Sequence, residues 1–271
     1  MRKTSSFLVS AVVALAASFA AAAPASAAVA PGDYVAIGDS YASGVGDLTT
    51  PYLPESGACK RSPNSYPRTF AKNHPTLTLQ DVTCSGATVA DVRANQLGAL
   101  SGKTTLVTIT VGGNDVGFES MANNCLLGTD QACQDATNLG AYYARTKLTE
   151  DLTALYTDVR QRAPKAQIYV LGYPRLVAQG TGSCGAVTLN DFRRQQMLHA
   201  NDHLVAGIKD AVDRTGVNFV EMRLPFEGHE ACGPDSWING VDPSHVSEIF
   251  HPTNTGHRAF AFMLELERGI R

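Results

Sequence analysis

The sequence predicts an α/β domain of three layers, with helices on both faces of a five-stranded parallel sheet. Two observations carry that reading. Five short apolar or β-branched runs, each followed by turn residues, are spread between positions 34 and 221. Helical periodicity separates several of them, and strands alternating with helices imply right-handed βαβ units. With 271 residues, 44% of them hydrophobic, the chain can bury the core such a domain needs. Its 24 glycines and 13 prolines then read as turns, not as disorder.

The chain opens on Arg2 and Lys3, an apolar Ala-rich run over 7–23, and a small-residue site at Ala25-Ser26-Ala27. This is the pattern of a secretory signal peptide over 1–29, cleaved at about 27–29, which leaves 30–271 as one domain. A membrane anchor is the weaker alternative, because Ser10, Ser18 and many alanines dilute the run. No later stretch approaches ~18 consecutive apolar residues.

Strands are expected at 34–38, 77–83, 106–111, 167–172 and 217–221. Leu148, Leu152, Leu155 and Val159 recur on one face of a helix that ends before Pro164. Thr188 and Asp191 suggest a capping box for a helix carrying Leu198, Leu204, Val205, Ile208 and Val212. Thr255 is the expected cap of a last helix through Phe260, Phe262, Met263 and Leu266. The segments 47–64, 119–138 and 222–250 read as long, cysteine-bearing loops of the kind that shape a binding site.

All six cysteines (Cys59, Cys84, Cys125, Cys133, Cys184, Cys232) follow the leader, an even number suited to disulfides in an exported chain. Fifteen pairings are possible. Pairing of sequential neighbours, each stapling a local loop, is the expectation. No Cys-x-x-Cys or zinc-finger spacing occurs, and His199 and His203 lack the flanking residues of a zinc protease, so neither metal nor cofactor is expected. The net charge of −3 becomes more negative without Arg2 and Lys3. That balance excludes nucleic acid and anionic membranes as nonspecific partners.

The first strand runs into Gly38-Asp39-Ser40-Tyr41. A serine just past the carboxyl end of a central parallel strand lies where open α/β sheets place their ligand crevice. Its N–H, free at a helix start, would face an anion beside its own hydroxyl. In isolation, simple helix capping by Asp39 or Ser40 is the stronger account of this motif. Turns at Cys84-Ser85-Gly86-Ala87-Thr88 and Gly112-Gly113-Asn114-Asp115 follow the second and third strands. Together the three turns set hydrogen-bond donors along one sheet edge, as a carbonyl becoming an oxyanion requires. Of seven histidines, His251 precedes Pro252, which keeps it extended ahead of the last helix.

In order and spacing these blocks resemble the SGNH or GDSL hydrolase family, and closely its secreted actinomycete lipases and phospholipases. The resemblance spans nearly the whole chain after the leader, from Tyr34-Val-Ala-Ile-Gly-Asp-Ser40 to His251-Pro-Thr-Asn-Thr-Gly-His257. It implies a flavodoxin-like sheet, three local disulfides, Ser40 as nucleophile, His251 as general base, and Ser40, Gly86 and Asn114 as oxyanion donors. Two departures stand out. Tyr41 replaces the usual leucine after the serine, and Glu248 stands where the family pattern has aspartate. The resemblance to secreted members that work as dyads implies a backbone carbonyl, from Glu248 or Ile249, as the His251 acceptor, with the Glu248 side chain nonessential; the alternative is a triad in which that side chain, long enough to reach the ring, orients His251.

The expected function is that of a secreted, monomeric lipase or phospholipase acting on lipid acyl esters, with no more than transient contact with lipid interfaces through Leu53, Leu126, Leu127 or Trp237. An esterase for acetylated polysaccharides or other small soluble esters is the alternative. A non-catalytic binding protein on the same fold is the third reading.

Overall fold

In a computed structural model, residues 32–269 are described; the expected leader over 1–29 lies outside the described residues. β1 (Gly32–Gly38) leads into α1 (Ser40–Ser43), and α2 (Tyr66–Asn73) into β2 (Leu77–Asp81). α3 (Val89–Asn95) precedes β3 (Thr104–Thr110). α4 (Phe118–Leu127), α5 (Asp130–Tyr143) and α6 (Thr149–Arg162) then lead to β4 (Gln167–Leu171). A small hairpin of β5 (Gly182–Cys184) and β6 (Val187–Leu189) precedes α7 (Asp191–Thr215), β7 (Asn218–Val220) and α8 (Asn254–Glu267).

The main sheet has the order β2-β1-β3-β4-β7 and is parallel throughout. β1, β3 and β4 are buried almost end to end, as strands covered on both faces must be. Helices α2 and α8 pack together on one face, and α3, α6 and α7 cover the other. Tyr34, Ile37, Leu106, Ile109, Val170 and Leu171 form the centre of the core. The order reverses direction beside β1, and a crevice opens there at the carboxyl ends of β1 and β3.

Each expected strand is present, with small shifts at the ends. β2 ends at Asp81, whose carboxylate accepts from the Thr83 hydroxyl at 2.6 Å in the turn that follows. Leu148, Leu152, Leu155 and Val159 are all fully buried, across a short π turn and α6.

Three expectations are corrected. The segment 119–138 is not a loop but most of α4 and α5, hinged at Gly128 and Thr129. Its buried positions are Met121, Cys125, Cys133 and Thr137, so a single large apolar side chain is too little to announce a helical stripe. Thr188 does not cap α7: it is paired with Ser183 in the hairpin, and the Asn190 side chain accepts from the Arg193 N–H at 2.8 Å instead. Nor does Thr255 cap α8. Thr253 is the last extended residue and accepts from the Gly256 N–H, leaving Thr255 inside the first turn.

The disulfides join sequential neighbours: Cys59–Cys84, Cys125–Cys133 and Cys184–Cys232. The first holds the 47–64 loop against the turn after β2, where Ser85 N–H also donates to the Cys59 carbonyl at 3.0 Å. The second ties α4 to α5, and the third ties the hairpin to the 222–250 loop.

Candidate active site

Gly38 ends β1 at a φ of +139°, and a Cβ there would meet the Thr110 carbonyl oxygen at 2.2 Å. Only glycine lets β1 and β3 close at this point. The buried Gln96 side chain clamps the same peptide, accepting from Gly38 N–H at 2.7 Å and donating to its carbonyl at 2.9 Å. The chain then turns sharply. Asp39 caps α1 by accepting from the Tyr41 N–H at 3.0 Å, and Ser40 follows as the first helical residue. Capping and site-building are therefore one arrangement, because the cap presents Ser40 at the sheet edge.

His251 reaches Ser40 from the far end of the chain. Its Nε2 lies 2.8 Å from Ser40 Oγ, and its Nδ1 lies 3.0 Å from the Ile249 carbonyl oxygen. That carbonyl can only accept, so Nδ1 carries the proton and Nε2 is left as the acceptor for the serine hydroxyl. Phe250 adopts φ +59°, and its carbonyl accepts from the Tyr41 hydroxyl at 2.6 Å. Asn239 braces the same segment, with its side chain donating to Gly46 O at 2.8 Å and its N–H to His251 O at 2.9 Å. Gly46 must be glycine, since a Cβ would fall 2.3 Å from the Pro252 carbonyl oxygen. Burial pushes the His251 imidazole down to about 4, against the bond to the Ile249 carbonyl, which pulls it up. It is neutral at ordinary pH.

Two further turns face the serine. Gly86 sits at φ +80°, and among the described residues its N–H has no protein acceptor. Asn114 spends one amide hydrogen on the Ala87 carbonyl at 3.0 Å, which orients the second towards the crevice. Asp115 accepts from the Val89 N–H at 3.1 Å and so joins the β3 turn to the start of α3. Burial lifts its carboxyl to about 6. An apolar slot lined by Val116, Phe118, Met121, Leu176 and Leu204 runs inward from Ser40. An open groove runs outward between α4 and residues 244–249, with Gly86 and Asn114 in its floor.

Known proteins resemble this chain in sequence and in fold. The sequence model of the GDSL-like lipase/acylhydrolase family matches residues 36–259. The chain belongs to this family of ester hydrolases. It is 37% identical over 252 residues to Lipase 1 of Streptomyces coelicolor, covering 92% of each chain. The crystal structure of phospholipase A1 from Streptomyces albidoflavus superposes with a TM-score of 0.83 at 35% identity, over 88% of this chain and 100% of that one. The extracellular lipase of Streptomyces rimosus superposes at 0.82 with 38% identity, over 87% and 99%.

In this GDSL hydrolase the Glu248 side chain points away from His251. It accepts from the Tyr52 hydroxyl and from Ser247 Oγ, both at 2.9 Å, with Lys60 Nζ 3.9 Å away. His257 is fully buried and bonds the Val45 carbonyl at 3.1 Å. His203 lies 3.0 Å from an Arg145 guanidinium nitrogen, a poor setting for a metal ion. Among the described residues no group of three or more His, Cys, Asp or Glu is disposed around a common point for a metal, and no helix is long and apolar enough to cross a membrane.

Sequence reasoning missed one participant. Tyr173, two residues past β4, is buried beside Ser40 and donates its hydroxyl to Asp39 Oδ2. Burial lifts the Asp39 carboxyl to about 7, opposed by the bonds from Tyr173 and the Tyr41 N–H. A signal for it exists in the sequence: Tyr173 follows the fourth strand as Ser40, Gly86 and Asn114 follow the first three.

Proposed function

We propose that the chain is a secreted carboxylic ester hydrolase of the lipase and phospholipase type, using a Ser40–His251 dyad on lipid acyl esters. The carrying observation is the 2.8 Å approach of His251 Nε2 to Ser40 Oγ, with Nδ1 occupied by the Ile249 carbonyl. Ser40 Oγ attacks the ester carbonyl carbon while Nε2 takes its proton. The tetrahedral oxyanion is held by the Ser40 and Gly86 N–H groups and the free Asn114 amide hydrogen. The imidazolium returns its proton to the leaving alcohol, and water cleaves the acyl-enzyme by the same sequence. The inward slot suits an acyl chain, which gains about 0.8 kcal/mol per buried methylene, and the outward groove suits the alcohol portion.

Secretion is supported by the basic and apolar opening of the sequence, by three disulfides, and by a relative described as extracellular. Ser40→Ala removes the nucleophilic oxygen and little else. It should abolish hydrolysis of p-nitrophenyl butyrate and laurate while circular dichroism stays that of the parent. Turnover by the folded variant would sink the mechanism.

A further inference from the structure

We propose that Tyr173 is a positioning residue whose hydroxyl fixes the nucleophile turn and the oxyanion turn relative to each other. The inference rests on the Ser40–His251–Asn114 reading above and deepens it.

The hydroxyl bonds to both turns at once. It accepts from the Gly113 N–H at 3.1 Å and donates to Asp39 Oδ2. Asp39 immediately precedes Ser40 and accepts from the Tyr41 N–H through its other oxygen; Gly113 immediately precedes Asn114 in the chain. One oxygen atom therefore links the ends of β1, β3 and β4. Because the Gly113 N–H points at the phenol oxygen, the phenol hydrogen has Asp39 as its partner, and the direction of the chain is set. Burial, reinforced by the neighbouring Asp39, holds the phenol well above its ordinary value, so it remains a donor.

The ring is fixed too. It packs edge-on against Tyr41 with centroids 4.9 Å apart, and a Cβ at Gly113 would touch it at 3.4 Å. Tyr173 also walls the slot, so a wall role alone would need only the ring, which phenylalanine supplies. The hydroxyl is what a wall does not explain. Its loss leaves the Gly113 N–H and Asp39 Oδ2 without partners in a buried site, and the turn carrying Asn114 is then free to shift. A displacement of ~1 Å at a reacting centre costs roughly 10²-fold in rate.

The test is a double-variant cycle in the full chain with Tyr173→Phe, Asp39→Asn and the pair together, alongside Ser40→Ala. Asparagine keeps an acceptor for the Tyr41 N–H but turns an N–H towards Tyr173, so the phenol hydrogen loses its acceptor. Each single variant should lower kcat roughly 10- to 100-fold on both p-nitrophenyl butyrate and laurate, with KM within about twofold. Because both act through one bond, the pair should fall no more than about threefold below the weaker single variant. Multiplicative losses would overturn the proposal, as would a rise in KM on laurate alone or a folded Tyr173→Phe with kcat within twofold of the parent. Should Tyr173→Phe fail to fold, Asp39→Asn decides by itself, and kcat within twofold overturns the link. Turnover by Ser40→Ala would instead defeat the underlying dyad. An inactive Ser40→Ala beside a fully active Tyr173→Phe defeats the positioning link alone.

Discussion

His251 Nδ1 meets a backbone carbonyl where a serine triad has an aspartate, and the Glu248 carboxylate bonds elsewhere. The Ile249 carbonyl orients Nδ1, and the Glu248 carboxylate braces the loop through Tyr52 and Ser247. A carbonyl sets the tautomer without a full counter-charge, so the imidazolium formed during attack is less stabilised than beside a carboxylate. Glu248→Gln keeps an acceptor for Tyr52 and leaves the carbonyl untouched. It should retain kcat within about tenfold, a change below ~1.4 kcal/mol in the barrier. Steady-state kinetics on p-nitrophenyl butyrate checks this, and a thousandfold loss in a folded variant would assign the glutamate a direct part.

Helix α4 forms one lip of the outward groove, and the 244–249 segment forms the other. Four apolar residues were candidates for meeting a lipid surface, and their elements sort them. Trp237 stacks on His229 at 3.6 Å, Leu53 and Leu126 are half-buried, and Leu127 at the end of α4 is 82% exposed. Val246 on the opposite lip is 66% exposed. Two apolar tips flanking the groove give a lipid aggregate a place to yield its acyl chain, whereas a dissolved ester needs neither. Leu127→Asp should therefore cut hydrolysis of phosphatidylcholine vesicles by about tenfold or more and leave p-nitrophenyl butyrate turnover within twofold. Equal losses on both would mean that α4 had moved.

Across the whole molecule, four buried groups with shifted titration act against each other in acid. Burial pushes His251 and His257 from 6.5 to about 4. The unfolded chain then binds protons that the folded one refuses between about pH 4 and 6.5, and stability falls as pH falls. Burial pushes Asp39 and Asp115 the other way, from 3.8 to about 7 and about 6. The folded state keeps those protons while the unfolded state releases them, so this pair adds stability as pH falls towards 4. The opposing pairs should leave the Tm nearly level between pH 6.5 and 4.5. Below that, stability should drop. Burial alone would raise the Asp47 carboxyl, but bonds from Thr49, Thr50 and Ser62 outweigh it and hold the carboxyl far below its ordinary range, and its protonation breaks them. Scanning calorimetry across pH is the check. His257→Gln removes one opposing group, so its Tm should rise on acidification from 6.5 to 4.5, and a wild-type Tm declining steadily over that range would refute the balance.

The sequence by itself determined where strands and turns fall, because β-branched runs and the Gly, Asn and Asp that follow them act on their immediate neighbours. It therefore marked the turns that hold Ser40, Gly86 and Asn114, within which the family resemblance assigned those residues, and it favoured neighbour-to-neighbour cysteine pairs, since short loops close with least loss of entropy. It misread 119–138, where a single large apolar side chain among the buried positions is too little to mark a helix face, and it placed two helix caps two residues away from the true ones. Only the tertiary structure decided the strand order β2-β1-β3-β4-β7, the 2.8 Å meeting of Ser40 with His251 across 211 positions, and the choice of the Ile249 carbonyl over its neighbours. The Asp39–Tyr173–Gly113 chain belongs with these. Its members lie on three strand ends, and a hydrogen bond between them exists only once packing has set those strands side by side.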